Sequence, residues 1–182
     1  MEIVFMGTSS FAVPSLNILA NSAHRIVGVV SQPDRRKGRG KKIQPTPVKE
    51  IASQLQIPVF QPESIKTAEA IEMIKSWNPD LIVVVSYGQI IPPAILNFPP
   101  RECINLHASL LPQYRGAAPI QRALMAGAKV TGVTTMFLAA GLDTGDIIMQ
   151  KSQPIDNDLT HGELEEILAQ KGAQLLLETV SA

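Results

Sequence analysis

Leu81-Ile82-Val83-Val84-Val85 is an uninterrupted run of five apolar residues, four of them β-branched. A strand with one face in water alternates apolar and polar residues. A continuous run needs cover on both faces, which a parallel sheet flanked by helices supplies. Parallel strands also need long crossovers, and the rest of the chain provides them. Ile3–Met6, Arg25–Val30 and Ile57–Phe60 read as earlier strands. Segments of helical period separate them: Phe11–Ala20, with Val13, Leu16 and Leu19-Ala20 along one face, then Pro47–Leu55 and Thr67–Trp77. Later strands are expected at Glu102–Leu106, Val130–Phe137 and Ile147–Gln150, and helices at Ala117–Ala126 and His161–Val180. This order predicts an α/β fold, a doubly wound, mostly parallel sheet with helices on both faces. Ligands of such sheets sit at the carboxyl ends of the strands, near the point where strand order reverses.

Composition narrows the function classes. The 182 residues are 45% hydrophobic and 18% charged, enough for one globular domain over 1–182 with a sizeable core. Sixteen basic and sixteen acidic side chains cancel, so overall charge selects no partner. No apolar run approaches the roughly 20 residues of a membrane span, and Met1-Glu2-Ile3-Val4-Phe5 is not the start of a signal peptide. A cytoplasmic monomer that avoids membranes is the expectation. A single cysteine, Cys103, excludes an internal disulfide and a Cys-rich zinc site. It sits in an apolar run and reads as a small buried hydrophobe. His24, His107 and His161 are not at ligand spacing, so no metal is called for; His24 and His161 are expected at the surface.

Four segments carry chemistry. Gly7-Thr8-Ser9-Ser10 joins the first strand to a helix. Its backbone N–H groups could cradle an anion, but the signal is weak and a structural turn with Ser9 or Ser10 as N-cap is the other reading. Asn105 and His107 stand at i and i+2 near a strand's carboxyl end, and so point to the same side. An amide donor beside a group that charges near neutral pH suits a developing oxyanion. The alternative is a strand-end histidine with its hydrogen bonds already satisfied. Asp143 lies between Gly141 and Gly145 after another strand, where it can orient His107 and relay protons, or simply make a turn. Arg35-Arg36-Lys37-Gly38-Arg39-Gly40-Lys41-Lys42 holds six cations in eight residues, in a loop spanning 33–47. Pro33, Pro45 and Pro47 and the mutual repulsion of the cations predict an irregular, mobile loop suited to a phosphate backbone. A plain solvated loop or a targeting run are the other readings.

Asn105-x-His107, then Ser109-Leu110-Leu111-Pro112-x-Tyr114-Arg115-Gly116, then Leu142-Asp143-Thr144-Gly145, resembles the 10-formyltetrahydrofolate-dependent formyltransferases. The likeness runs from Phe5 to about Pro154. It implies the formyltransferase variant of a Rossmann-like fold and a catalytic set of Asn105, His107 and Asp143. It also implies 10-formyltetrahydrofolate as formyl donor, bound along Ser109, Leu110, Leu111 and Pro112 with Gln89, Ile90 and Ile91. Gln32-Pro33-Asp34-Arg35, Gly38-Arg39-Gly40-Lys41-Lys42 and Pro45-x-Pro47-Val48-Lys49 are similar to the branch of this family that formylates methionyl-tRNA. That resemblance implies initiator methionyl-tRNA as partner, with Arg35, Arg36, Lys37, Arg39, Lys41 and Lys42 on the RNA. Its members continue into a β-rich carboxyl-terminal domain, which this chain is expected to lack. The chain departs from the family at Ser9-Ser10, where a proline and an acid are usual, and at Ala139-Ala140, where an acid is usual. A formyltransferase for a small amine, such as a nucleotide sugar or glycinamide ribonucleotide, and a non-catalytic nucleic-acid-binding domain are the competing readings.

Overall fold

The computed structural model describes residues 1–37 and 42–182. The first crossover runs from β1 (Glu2–Gly7) through a 3-10 turn (Ser10–Ala12) and α1 (Val13–Ala20) to β2 (Arg25–Val30). A small ribbon follows, β3 (Arg35–Lys37) and β4 (Lys42–Gln44), then α2 (Pro47–Gln54), β5 (Val59–Phe60) and α3 (Ala68–Ser76). The run that anchors the fold is β6 (Leu81–Val85), with all five residues buried. After it come α4 (Pro93–Leu96), β7 (Cys103–His107), α5 (Pro119–Met125), β8 (Val130–Phe137), β9 (Ile147–Pro154) and α6 (His161–Ser181).

Among the described residues the main sheet has seven strands in the order β5-β2-β1-β6-β7-β8-β9. The first five pair in parallel; β8 runs antiparallel to β7, and β9 antiparallel to β8. The expected doubly wound, mostly parallel sheet is therefore present. The chain winds outward from β1 through β2 to β5, then returns to β6 on the other side of β1, so strand order reverses between β1 and β6. Two apolar clusters cover the two faces. One includes Phe5, Val83, Leu106, Leu16 and, from α6, Leu164, Leu168, Leu175 and Leu176; the other includes Val4, Val84, Cys103, Ile74 and Tyr87. The last helix begins in a full capping box, in which the Thr160 side chain accepts from the Glu163 amide while Glu163 reaches back to Thr160.

Several boundaries differ from expectation. The third strand is only Val59–Phe60, because Ile57 closes the end of α2 through its amide to Ala52 O. The helix expected from Ala117 begins at Pro119, since Ala118 is in the left-handed region at φ 54° and Pro119 takes the first helical position. The first turn of the Phe11–Ala20 segment is 3-10. The 33–47 loop, expected to be irregular, holds a short paired ribbon. Arg35, Arg36 and Lys37 pair antiparallel with Gln44, Ile43 and Lys42, and the prolines lie outside the paired residues. Gly38–Lys41, and with them Arg39 and Lys41, lie outside the described residues. His24 and His161 are half-buried rather than fully at the surface.

Candidate active site

β7 is held on both sides, by β6 with Val84 opposite Asn105 and by β8 with Thr134 opposite His107. Its carboxyl end is thus a rigid shelf two strands from β1. Asn105 and His107 are each 8% exposed there. The His107 Nε2 atom lies 3.1 Å from the carbonyl oxygen of Tyr114, and a carbonyl only accepts, so this contact requires a hydrogen on Nε2. On the other side of the ring, Nδ1 lies 3.5 Å from Oδ2 of Asp143. Each ring nitrogen therefore faces an oxygen atom, a backbone carbonyl on one side and a carboxylate on the other. The Asn105 amide takes no part in these contacts and is left for another partner.

Oδ2 of Asp143 also accepts from the Gly116 amide at 2.7 Å. One carboxylate oxygen therefore joins the segment after β7 to the loop after β8 at the histidine. The geometry that brings it there is tight. Asp143 has φ 49°, a left-handed conformation that Asp tolerates better than most side chains. A Cβ on Gly145 would collide with the backbone carbonyl of Phe137, so only glycine lets the loop close this way.

The segment after β7 is fixed by a residue that the sequence did not mark. Thr134, fully buried on β8, donates its hydroxyl to Ser109 O at 2.7 Å. The same hydroxyl accepts from the Leu111 amide at 3.2 Å and from Gln150 Nε2 at 2.9 Å. Gln150 also donates to Leu111 O at 3.0 Å, and the buried Ser109 hydroxyl donates to Gln113 O at 2.5 Å. Ser109 and Leu111 are thereby locked inward, while Leu110 is half-buried and Pro112 exposed. Across the strand ends, Gln89 is engaged with the backbone, accepting from Ile65 N at 2.9 Å and donating to Glu63 O at 3.2 Å. It pins its loop and leaves Ile90 69% exposed beside the half-buried Ile91. Leu142, next to Asp143, is 68% exposed. These apolar side chains suit a flat organic ring better than water.

The Gly7 loop is stitched to its neighbours rather than held open as an anion cradle. Thr8 donates to Tyr87 O at 2.7 Å and accepts from Gln32 N at 3.3 Å, and Ser9 donates to Ser86 Oγ at 2.8 Å. Ser9 occupies the N-cap position but makes no side-chain capping bond. Burial, then the nearby Glu102 charge, pushes the Cys103 thiol up to about 12, which removes it as a nucleophile at neutral pH. Arg35, Arg36 and Lys42 are exposed on the β3–β4 ribbon. Two open grooves of about 710 Å³ each lie elsewhere, one beside Lys151 and Glu166 and one beside His24 and Arg101. Among the described residues no helix is long and apolar enough to cross a membrane.

A family model described as formyl transferase matches residues 1–180. The chain is 62% identical over 180 residues to a methionyl-tRNA formyltransferase of Syntrophomonas wolfei, covering 99% of this chain and 57% of that protein. Its identity to the corresponding protein of Pelotomaculum thermopropionicum is 53%, over 99% of this chain and 58% of the relative. The chain thus spans 57% and 58% of the length of these two relatives. Among solved structures, phosphoribosylglycinamide formyltransferase from Streptococcus pneumoniae superposes with a TM-score of 0.81 at 26% identity, covering 99% of this chain and 96% of that one.

Proposed function

Since the chain belongs to the formyl transferase family, we propose that it transfers the formyl group of 10-formyltetrahydrofolate to the α-amino group of methionyl-initiator tRNA. The observation that carries this reading is the approach of Asp143 to His107 beside an uncommitted Asn105 amide, at the carboxyl end of β7. The neutral amine attacks the formyl carbon, and no covalent enzyme intermediate is needed because the amine is itself the nucleophile. Asn105 donates to the developing oxyanion. The protonated His107 ring supplies positive charge there, as the oxyanion competes with Tyr114 O for the Nε2 hydrogen. Asp143 holds the ring and, directly or through water, passes the proton lost by the amine to the folate nitrogen as the carbon–nitrogen bond to the donor breaks. The donor's ring system packs against Ile90, Ile91, Leu110 and Pro112, with Ser109, Leu111 and Gln89 fixing those segments from behind.

Loop closure over Gly145 places Asp143, so Gly145→Ala is expected to cost activity without touching a reacting group. Shifting a catalytic group by ~1 Å can reduce turnover about 100-fold, and a loss of that order is expected here. Turnover beside circular dichroism checks it: full activity in a folded variant would show that the glycine is not needed for the site.

The RNA part of the proposal rests on the exposed cations of the β3–β4 ribbon and on the 62% identity to a methionyl-tRNA formyltransferase. Arg36→Ala and Lys42→Ala are each expected to weaken methionyl-tRNA binding and to lower the salt dependence of its logarithm by about one. Folate affinity should be unchanged. Equal loss of both affinities would make the ribbon structural. The similarity to a phosphoribosylglycinamide formyltransferase supports a second acceptor class, a small phosphorylated amine. Transfer to such an amine with none to methionyl-tRNA would replace the first reading by the second.

A further inference from the structure

The β3–β4 ribbon forms a two-stranded sheet separate from the main one, and Arg35, Arg36, Lys42, Ile43 and Gln44 are all exposed. Both of its faces are therefore solvated. A lone two-stranded ribbon is marginal in water, so its direction must be set where it joins the domain.

Both joints are tied. Ser31 and Thr46, buried on either side of the ribbon, share a hydroxyl hydrogen bond of 2.6 Å. The Thr46 hydroxyl also caps α2 by accepting from the Lys49 amide at 3.2 Å. Asp34, directly before β3, is clamped at both carboxylate oxygens. Lys49 Nζ donates to Oδ2 at 2.5 Å, and Gln61 Nε2 donates to Oδ1 at 2.7 Å and to Gln32 O at 2.8 Å. The two side chains of the ion pair are only 24% and 30% exposed. Asp34 thus links the ingoing foot of the ribbon to α2 and to the residue that follows β5.

We propose that Asp34 is a positioning residue for RNA, setting through Lys49 and Gln61 the angle at which the basic ribbon meets the RNA without touching it itself. The proposal rests on the reading of the ribbon as an RNA contact. Bonds from Gln61 and then Lys49 hold the Asp34 carboxyl below its ordinary value. A depressed carboxyl contributes stability that is fully present above the ordinary carboxylate range and lost as pH falls through the folded value. The clamp accordingly stays closed at neutral pH.

The sign of one substitution separates positioning from bare electrostatics. Asp34 is an acid among RNA-facing cations, and it occupies Lys49. On charge alone, Asp34→Asn removes repulsion, frees a cation and should tighten RNA binding. On positioning, it releases the ribbon and weakens binding. In formylation kinetics with methionyl-tRNA, Asp34→Asn is expected to raise KM for the RNA about tenfold, equivalent to ~1.4 kcal/mol. The turnover at saturating RNA and KM for the formyl donor should be unchanged. Lys49→Met in the same background should add little, because the link is already broken, and Lys49→Arg should retain wild-type KM. Gln61→Leu, which opens one oxygen only, should give a smaller rise and covers the case in which Asp34→Asn does not fold. An unchanged or lower RNA KM in Asp34→Asn, with Arg36→Ala raising it in parallel, overturns the positioning role while leaving the RNA contact standing. No change in either variant overturns the RNA contact and this proposal with it.

Discussion

Asn105→Ala is expected to leave the domain folded and to slow formyl transfer about 100- to 1000-fold, the usual cost of removing one oxyanion donor. Retention of the fold follows from what the side chain does at rest. The contacts that hold His107 run to Tyr114 and Asp143, and the Asn105 amide shares in neither. Its backbone remains in the middle of a ladder between β6 and β8. The loss should fall on turnover, with little change in KM for the donor, because the interaction forms as charge develops on the formyl oxygen. Single-turnover rates beside a thermal melt check both halves. A variant that melts normally and transfers at near wild-type rate removes Asn105 from the chemistry.

Asp143→Asn should have an effect of comparable or greater size for a different reason. The carboxylate does two jobs through one oxygen, accepting from the Gly116 amide at 2.7 Å and facing His107 Nδ1 at 3.5 Å. An asparagine oxygen still accepts from Gly116, so the loop connection survives while the charge beside the ring is lost. Turnover is then expected to fall by about 10²- to 10⁴-fold, the range that proton transfer by a positioned group contributes. Asp143→Ala removes both connections, and a rise in donor KM should accompany the same loss of rate. If Asp143→Asn is near normal and only Asp143→Ala is impaired, Asp143 is a turn residue that anchors Gly116, the alternative which its place between two glycines also allows.

The strands were readable where the pattern is long and apolar. Leu81–Val85 announced a doubly covered strand, and the period-two spacing of Asn105 and His107 correctly put both at one strand end. What the sequence could not carry was register. Asp143 reaches His107 because β8 pairs antiparallel with β7 and its following loop folds back, with Phe137 N bonded to Asp146 O at 3.0 Å. Thr134 reads as an ordinary strand former; it becomes the pin of the Ser109–Leu111 segment only because it stands opposite both His107 and Gln150. The β3–β4 ribbon was missed for another reason. Three residues a side are too few for any period to register, and Arg35-Arg36-Lys37 shows no alternation. Its orientation depends on Asp34, Lys49 and Gln61, which lie as much as 27 residues apart in the chain.

On the proposed function, Asn105, His107 and Asp143 move a formyl group from folate to the amine of methionyl-tRNA. The most direct test of this reading offers the chain 10-formyltetrahydrofolate labelled in the formyl carbon, together with methionyl-initiator tRNA, glycinamide ribonucleotide and an amino-sugar nucleotide in one mixture. The wild-type chain and Asn105→Ala are followed side by side. Label is expected on methionyl-tRNA, its arrival slowed about 100-fold or more by the substitution. Label on a small amine instead, or label on methionyl-tRNA at the same rate in both proteins, contradicts that reading.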